Sequence, residues 1–278
     1  MLYLILAILS STLINIFMRL SEGRVENRHA MLSVNYLTCA LLAFALLKNH
    51  EFFPQEDGLG GVLILGIASG FMYLASFLML KWNISKNGVV LPATFMKLGV
   101  IVPTLMSVIF YGETFTFLRG AGLVLSVLAI CFLGEKNTQK RESTLGLVLL
   151  LLMGGFTDFT GKLFEAHCPG ALSGHYLFYT FSAALILCVL ISVLRKEKLR
   201  LKDILFGYLI GLPNYFSSHF LLLSLTSGVE AVVAFPTFSV GTILLVAVAG
   251  RFLFSEQLSK RKLVCLSVIL AALICLNL

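Results

Sequence analysis

The chain has 278 residues, 58% of them hydrophobic and 13% charged, with a formal net charge of +7. A soluble domain carries roughly 45–50% apolar and about 25% charged residues. This composition therefore excludes a soluble globular fold and requires a bilayer, which solvates apolar side chains directly. The positive charge sits in short loops between apolar runs, so anionic lipid headgroups are the expected partner and nucleic acid is not. Five of the six cysteines fall inside apolar runs and none forms a CxxC pair, which argues against a zinc site or a disulfide framework.

Apolar runs of membrane-spanning length occur at 2–20, 29–47, 59–80, 88–110, 116–134, 144–164, 173–194, 203–224, 229–250 and 259–277. The first lacks a basic n-region and has a counterpart in mid-chain, so it is expected to be a mature helix and not a signal peptide. The breaks between runs carry charge or turn residues, as in Lys48–Gly58 and Arg195–Lys202. These runs predict an all-α membrane protein of ten transmembrane helices.

A shift of 143 residues lays Leu4, Asn15, Arg19 and Leu20 on Leu147, Asp158, Lys162 and Leu163, Tyr36 on Tyr179, and Glu113 on Glu256. Near the third and eighth runs the shift is 141, pairing Gly66 and Gly70 with Gly207 and Gly211. The chain thus reads as two five-helix repeats, 1–138 and 144–278. Five is odd, so consecutive copies must face opposite ways, a feature of secondary transporters. The loop charges agree. Seventeen lysines and arginines lie in or beside odd-numbered loops, three beside even-numbered ones, and Lys97 inside a run. This bias puts the odd loops in the cytoplasm and both termini outside.

The stretch Val108-Ile109-Phe110-Tyr111-Gly112-Glu113-Thr114-Phe115-Thr116, followed by Gly120-Ala121-Gly122, resembles the junction between the fourth and fifth helices of a repeat in the ten-helix EamA branch of the drug/metabolite transporter superfamily. Phe252-Leu253-Phe254-Ser255-Glu256-Gln257-Leu258-Ser259 resembles the same junction in the second copy. Ser227-Gly228-Val229-Glu230-Ala231 resembles the turn before a repeat's fourth helix. The segment Leu9 to Asn15 departs from that family's first-helix motif. The resemblance implies proton-coupled or exchange transport of amino acids, metabolites or drugs without ATP. It also implies a central cavity lined by the first, third, fourth, sixth, eighth and ninth helices. It further implies cytoplasmic termini, opposite to the charge bias.

Lys97 stands about ten residues into the fourth run, where a charge costs roughly 2.5–3.5 kcal/mol on insertion scales. Thr94, Lys97 and Thr104 share a helical face. Lys97 is expected either to anchor a substrate carboxylate or phosphate, or to pair structurally with Asp158 or a backbone carbonyl. Asp158 replaces the amide of Asn15 in the second copy; it is a candidate proton site, or a charge satisfied by Lys162 one turn on. Asn15, Tyr73, Asn214, His219 and Ser239 complete the candidate substrate-binding set, with His219 also a proton candidate. The alternative for each is hydrogen bonding or close packing between helices. Glu113 and Glu256 are expected to hold their helix junctions, and Glu230 to suit the positive end of the ninth helix.

Gly155 to Lys162 fails as a phosphate-binding loop in glycine spacing and in context. No catalytic residue, metal site or cofactor is expected, and the chain is not read as an enzyme. The expected function is secondary active export or exchange of a small metabolite by alternating access, by a monomer or dimer, with protons as a candidate coupling ion. The alternatives are a flippase for a lipid-linked or amphipathic substrate and efflux of cationic drugs. The expected location is a cell membrane, the bacterial inner membrane in particular.

Overall fold

The computed structural model describes residues 1–21, 23–47, 50–87, 95–96, 98–133 and 144–253, with scattered positions beyond 263. The described residues form nine α-helices and one 3-10 turn, Gly170–Leu172, and no strand. The helices are α1 (Leu2–Ser21), α2 (Arg28–Ala45), α3 (Leu59–Asn87), α4 (Ile101–Tyr111), α5 (Phe117–Leu133), α6 (Thr144–His167), α7 (Ser173–Leu194), α8 (Leu201–Thr226) and α9 (Ala231–Leu253). Each falls on one of the apolar runs. Of the tenth run, 259–277, only scattered positions are described, and those are helical. Among the described residues, five helical stretches are long and apolar enough to cross a membrane: Leu2–Ser21, Leu59–Leu80, Leu145–His167, Gly170–Leu194 and Ala231–Gly250.

The fourth run differs from expectation. It is not one continuous helix: Leu98 is helical, Gly99 and Val100 form a turn, and α4 starts at Ile101. Pro103 supplies the reason. A helix through this point would need the residue-103 amide to bond the carbonyl of Gly99, and proline has no N–H and crowds that carbonyl.

By its internal contacts the chain divides into two compact units. Unit one is Met1–Leu74 with Leu163–Ser227, and unit two is Ala75–Lys162 with Gly228–Leu278. Each unit draws helices from both halves of the sequence.

In unit one, α1 and α2 pack on α8, and α2 also packs on α7. Helices α2 and α7 run antiparallel. The start of α2 meets the residues after α7, His29 Nδ1 lying 2.5 Å from Glu197 Oε1. Near the other end of α2, Phe44 packs on Phe178 in the first turns of α7. Helices α3 and α8 also begin at opposite ends of the unit. Gly58, just before α3, abuts Pro169 ahead of α7. Arg200, just before α8, pairs with Glu26 ahead of α2.

Glycines let these helices touch through their backbones. A Cβ on Gly70 of α3 would lie 2.4 Å from the Thr180 carbonyl of α7, and one on Gly66 2.7 Å from Tyr179 Cβ. A Cβ on Gly207 of α8 would lie 2.6 Å from the Met31 carbonyl of α2, and one on Gly211 2.8 Å from that of Asn35. In the repeat register α3 corresponds to α8, and α7 to α2. The two contacts are therefore reciprocal: the third helix of each half rests on the second helix of the other.

In unit two, α9 packs on α4 and α5. Helix α6 meets the break in the fourth run at Gly155, where a Cβ would lie 2.4 Å from the Gly99 carbonyl. Ser76 and Thr157 share a hydrogen bond of 2.9 Å between α3 and α6, and Asn83 donates to the Gly146 carbonyl at 3.0 Å.

Gly70→Ala should destabilise the purified protein by about 1–3 kcal/mol, because the crowding atoms are backbone and cannot yield. Gly61, with nothing within 4 Å of a built Cβ, is the control and should tolerate alanine. Thermal unfolding in detergent compares the two.

Candidate functional site

Polar groups inside an apolar helical protein must be satisfied by one another or by a ligand. In unit one they collect on a seam between α2 and α8. Asn214 donates to the buried Asn35 side chain at 3.1 Å, and the Cys39 thiol donates to the Gly211 carbonyl at 3.3 Å. Ser217 donates to the Ala7 carbonyl at 3.3 Å, joining α1 to the seam. Tyr36, one residue from Asn35, is also buried.

Aromatic rings extend the seam. Tyr73 of α3 packs on Phe181 of α7 at 6.2 Å, Phe181 on Tyr215 at 6.3 Å, and Tyr215 stacks on His219 at 5.4 Å with ring planes 13° apart. The ring of His219 is thus fixed between Tyr215 and Phe220. The imidazole is half-buried, and its nitrogens meet no hydrogen-bond partner among the described residues. It is a held ring with spare donor and acceptor capacity.

Three of the sequence candidates, Tyr73, Asn214 and His219, therefore lie on one seam. Asn15 does not join them: its amide donates to the Ser11 carbonyl of its own helix at 2.8 Å, and the residue is exposed. Thr104 and Ser239 belong to unit two, on α4 and α9, and both are buried; the Thr104 hydroxyl donates to the Val100 carbonyl beside the helix break. Lys97 and Thr94 lie outside the described residues. Asp158 is half-buried on α6, one turn beyond the Gly154–Gly155 crossing of the break. Asn35 is the seam residue that periodicity overlooked. An asparagine well inside an apolar run is costly unless partnered, and that cost is the signal that marks it.

The charges of unit two are arranged differently from the sequence expectation. Lys162 pairs with Glu113, Nζ to Oε1 at 2.8 Å, with side chains 9% and 7% exposed, and its ammonium lies 5.2 Å from the centre of the Tyr111 ring. The same Glu113 carboxylate accepts the backbone N–H groups of Ala231 and Val232 at 3.0 and 2.8 Å. The start of α9 is therefore capped by a carboxylate from the end of α4. Glu230 turns away to Thr114, at 2.9 Å, and Arg119. Burial pushes the Glu230 carboxyl up, but the Thr114 hydroxyl and the Arg119 guanidinium outweigh it and hold the group below its usual range.

At the far ends of α7 and α3 in unit one, His175 Nε2 lies 3.0 Å from the Glu51 carbonyl, and the Tyr179 hydroxyl donates to the Phe52 carbonyl at 2.6 Å. These residues fasten the segment before α3 and are spent on structure. Among the described residues no group of three or more His, Cys, Asp or Glu side chains is placed to hold a metal ion.

No protein-family model matches the chain. It is similar to an uncharacterised protein of Haemophilus influenzae, 23% identical over 286 residues that cover 98% of this chain and 96% of the other. Its fold is similar to that in a crystal structure of a protein with 13% identity, at a TM-score of 0.76, over 99% of this chain and 94% of that one.

Glu113→Ala should cost about 3–5 kcal/mol, since it strands a buried lysine and two helix-end amides. Adding Lys162→Met should restore part of that loss, and a double-mutant cycle on thermal unfolding measures it. Glu230 gives a pH prediction. Its folded pKa lies below its unfolded one, so its contribution is complete above the ordinary carboxylate range and fades as pH falls through the folded value. An unfolding series from about pH 7 to about pH 3 should show a shallower acid loss for Glu230→Gln than for the parent.

Proposed function

We propose that the chain is a secondary active transporter, an exporter or exchanger of a small metabolite such as an amino acid or organic anion. In this reading it belongs to the drug/metabolite transporter superfamily, in the ten-helix EamA branch, and consists of two inverted five-helix repeats. The observation that carries the proposal is the reciprocal packing in unit one: α2 and α7, which correspond in the repeat register, run antiparallel, and α3 and α8 seat their paired glycines on α7 and α2. Inverted repeats rocking about a midplane site are a common basis of alternating access.

The break at Gly99–Val100 supports the same reading. Discontinuous helices are a recurring feature of secondary transporters, and irregular backbone at membrane depth is tolerated only where it is buried in protein or lines a cavity. Lys97, two residues before it in sequence, is assigned to a substrate carboxylate or phosphate, with Thr94 and Thr104 on its helical face. Tyr73, Asn214 and His219 are assigned to substrate contact at the seam, Ser239 and Asn15 to supporting polar contacts, and Asp158 to proton coupling together with His219. Lys97 favours an anionic or zwitterionic metabolite over a cationic drug. The bacterial inner membrane is the proposed location.

Purified protein in proteoliposomes should show counterflow of an amino acid or organic anion above empty vesicles. Lys97→Met should weaken substrate affinity at least about tenfold, the scale of one lost charge-assisted hydrogen bond. Asp158→Asn should remove the dependence of flux on a pH gradient. Flux no greater than that of empty vesicles across these substrate classes would overturn the reading.

A further inference from the structure

Unit one has two ends of opposite charge. The segments 50–58 and 195–202 lie at opposite ends of α7, because the first meets His175 and Tyr179 and the second follows Leu194. The first carries exposed Glu51, Glu56 and Asp57, while the second carries five basic residues and faces Arg24 and Arg28. Contacts bind the two basic segments into one face. Asn27 donates to the Lys198 carbonyl at 2.7 Å, and Glu26 pairs with Arg200.

The described acids within this face, Glu26, Glu197 and Asp203, are already committed; Glu22 lies outside the described residues. Glu197 turns inward, its second oxygen accepting the Ala30 amide at 3.2 Å while the first meets His29. Buried Asp203 accepts the Arg200 amide at 3.0 Å and closes the start of α8. Glu26 is taken by Arg200. Arg24, Arg28, Arg195, Lys196, Lys198 and Lys202 are exposed and make no ion pair among the described residues. Two of them, Arg28 and Lys202, stand in the first turn of a helix, the end at which a cation is disfavoured. Lys196 adopts a left-handed backbone, φ 54°, that turns the chain sharply after α7 and keeps these side chains at the surface.

Leucines alternate with the cations. Leu199 is 54% exposed and Leu201 81%, on either side of Arg200, and Leu194 at the end of α7 is 73% exposed. Water disfavours such leucines, whereas the boundary between headgroups and acyl chains takes both residue types at once.

We propose that this face, formed by the α1–α2 and α7–α8 connections, binds the phosphate groups of anionic phospholipids while its leucines enter the acyl boundary. The inference rests on membrane insertion and is independent of the transport reading, so either can fail alone. Excess charge without acidic partners selects an anionic headgroup over a zwitterionic one, by several-fold for each basic residue near the surface.

The test is native mass spectrometry of detergent-purified protein with phosphatidylglycerol or phosphatidylcholine of the same acyl chains. The parent should retain phosphatidylglycerol preferentially, and added salt should weaken that preference. The variant Arg195→Gln, Lys196→Gln, Lys198→Gln, Lys202→Gln should lose at least about tenfold of it. Size-exclusion profile and unfolding temperature report whether the variant is folded. If it is not, the milder pair Lys196→Gln and Lys198→Gln and the salt series on the parent carry the test. Equal retention of the two lipids, a preference unchanged by the substitutions, or displacement by inorganic phosphate at equal concentration would overturn the proposal; the last result would identify a site for soluble anions.

Discussion

At Gly66 and Gly70 the backbone of α3 lies against α7, and at Gly207 and Gly211 the backbone of α8 lies against α2. In hydrocarbon there is no hydrophobic gain in bringing one apolar helix to another, because lipid tails solvate both equally well. What holds helices together is close packing and the hydrogen bonds that closeness permits. The glycine contacts meet that need in unit one. By drawing α8 onto α2 they bring the Cys39 thiol to the Gly211 carbonyl and Asn214 to Asn35. The polar seam depends on them.

Unit two solves the same problem with charge. The end of α4 delivers the Glu113 carboxylate to the first amides of α9, and Lys162 of α6 neutralises it. A buried ion pair is a poor source of net stability, but once built it is costly to break, because the surviving partner is left without compensation. Three helices are fixed at one point by a carboxylate that has spent both oxygens. Both units thus combine close backbone contact, at Gly66, Gly70, Gly207 and Gly211 in one and at Gly155 in the other, with a carboxylate that joins helix ends, Glu197 in one and Glu113 in the other.

Much of this was legible in the residues. Hydropathy located the nine described helices, five of which are long and apolar enough to cross a membrane. The glycine pairs stood one turn apart, and that spacing already indicated a packing face. Other features were hidden. Local spacing offered Lys162 as a partner for Asp158 one turn away, but nothing local pointed to its ion pair with Glu113, which is distant in sequence. Helix-end logic assigned Glu230 to the start of α9, yet the adjoining chain directs its side chain to Thr114 and Arg119, and Glu113 takes the amides. The break before α4 did have a local signal, a proline four residues after Gly99. Apolarity masked it, since a hydropathy reading does not distinguish a continuous helix from an interrupted one.

The charge bias, the repeat register and the antiparallel course of α2 and α7 underlie the proposal that the two halves of the chain enter the membrane in opposite senses. Cysteine accessibility in intact cells and in inverted vesicles tests it most directly. Gln55 precedes α3, and Lys198 lies at the corresponding place before α8. Gln55→Cys should react with a membrane-impermeant thiol reagent only from outside, and Lys198→Cys only from the cytoplasmic face. Labelling of both from the same side would contradict the claim.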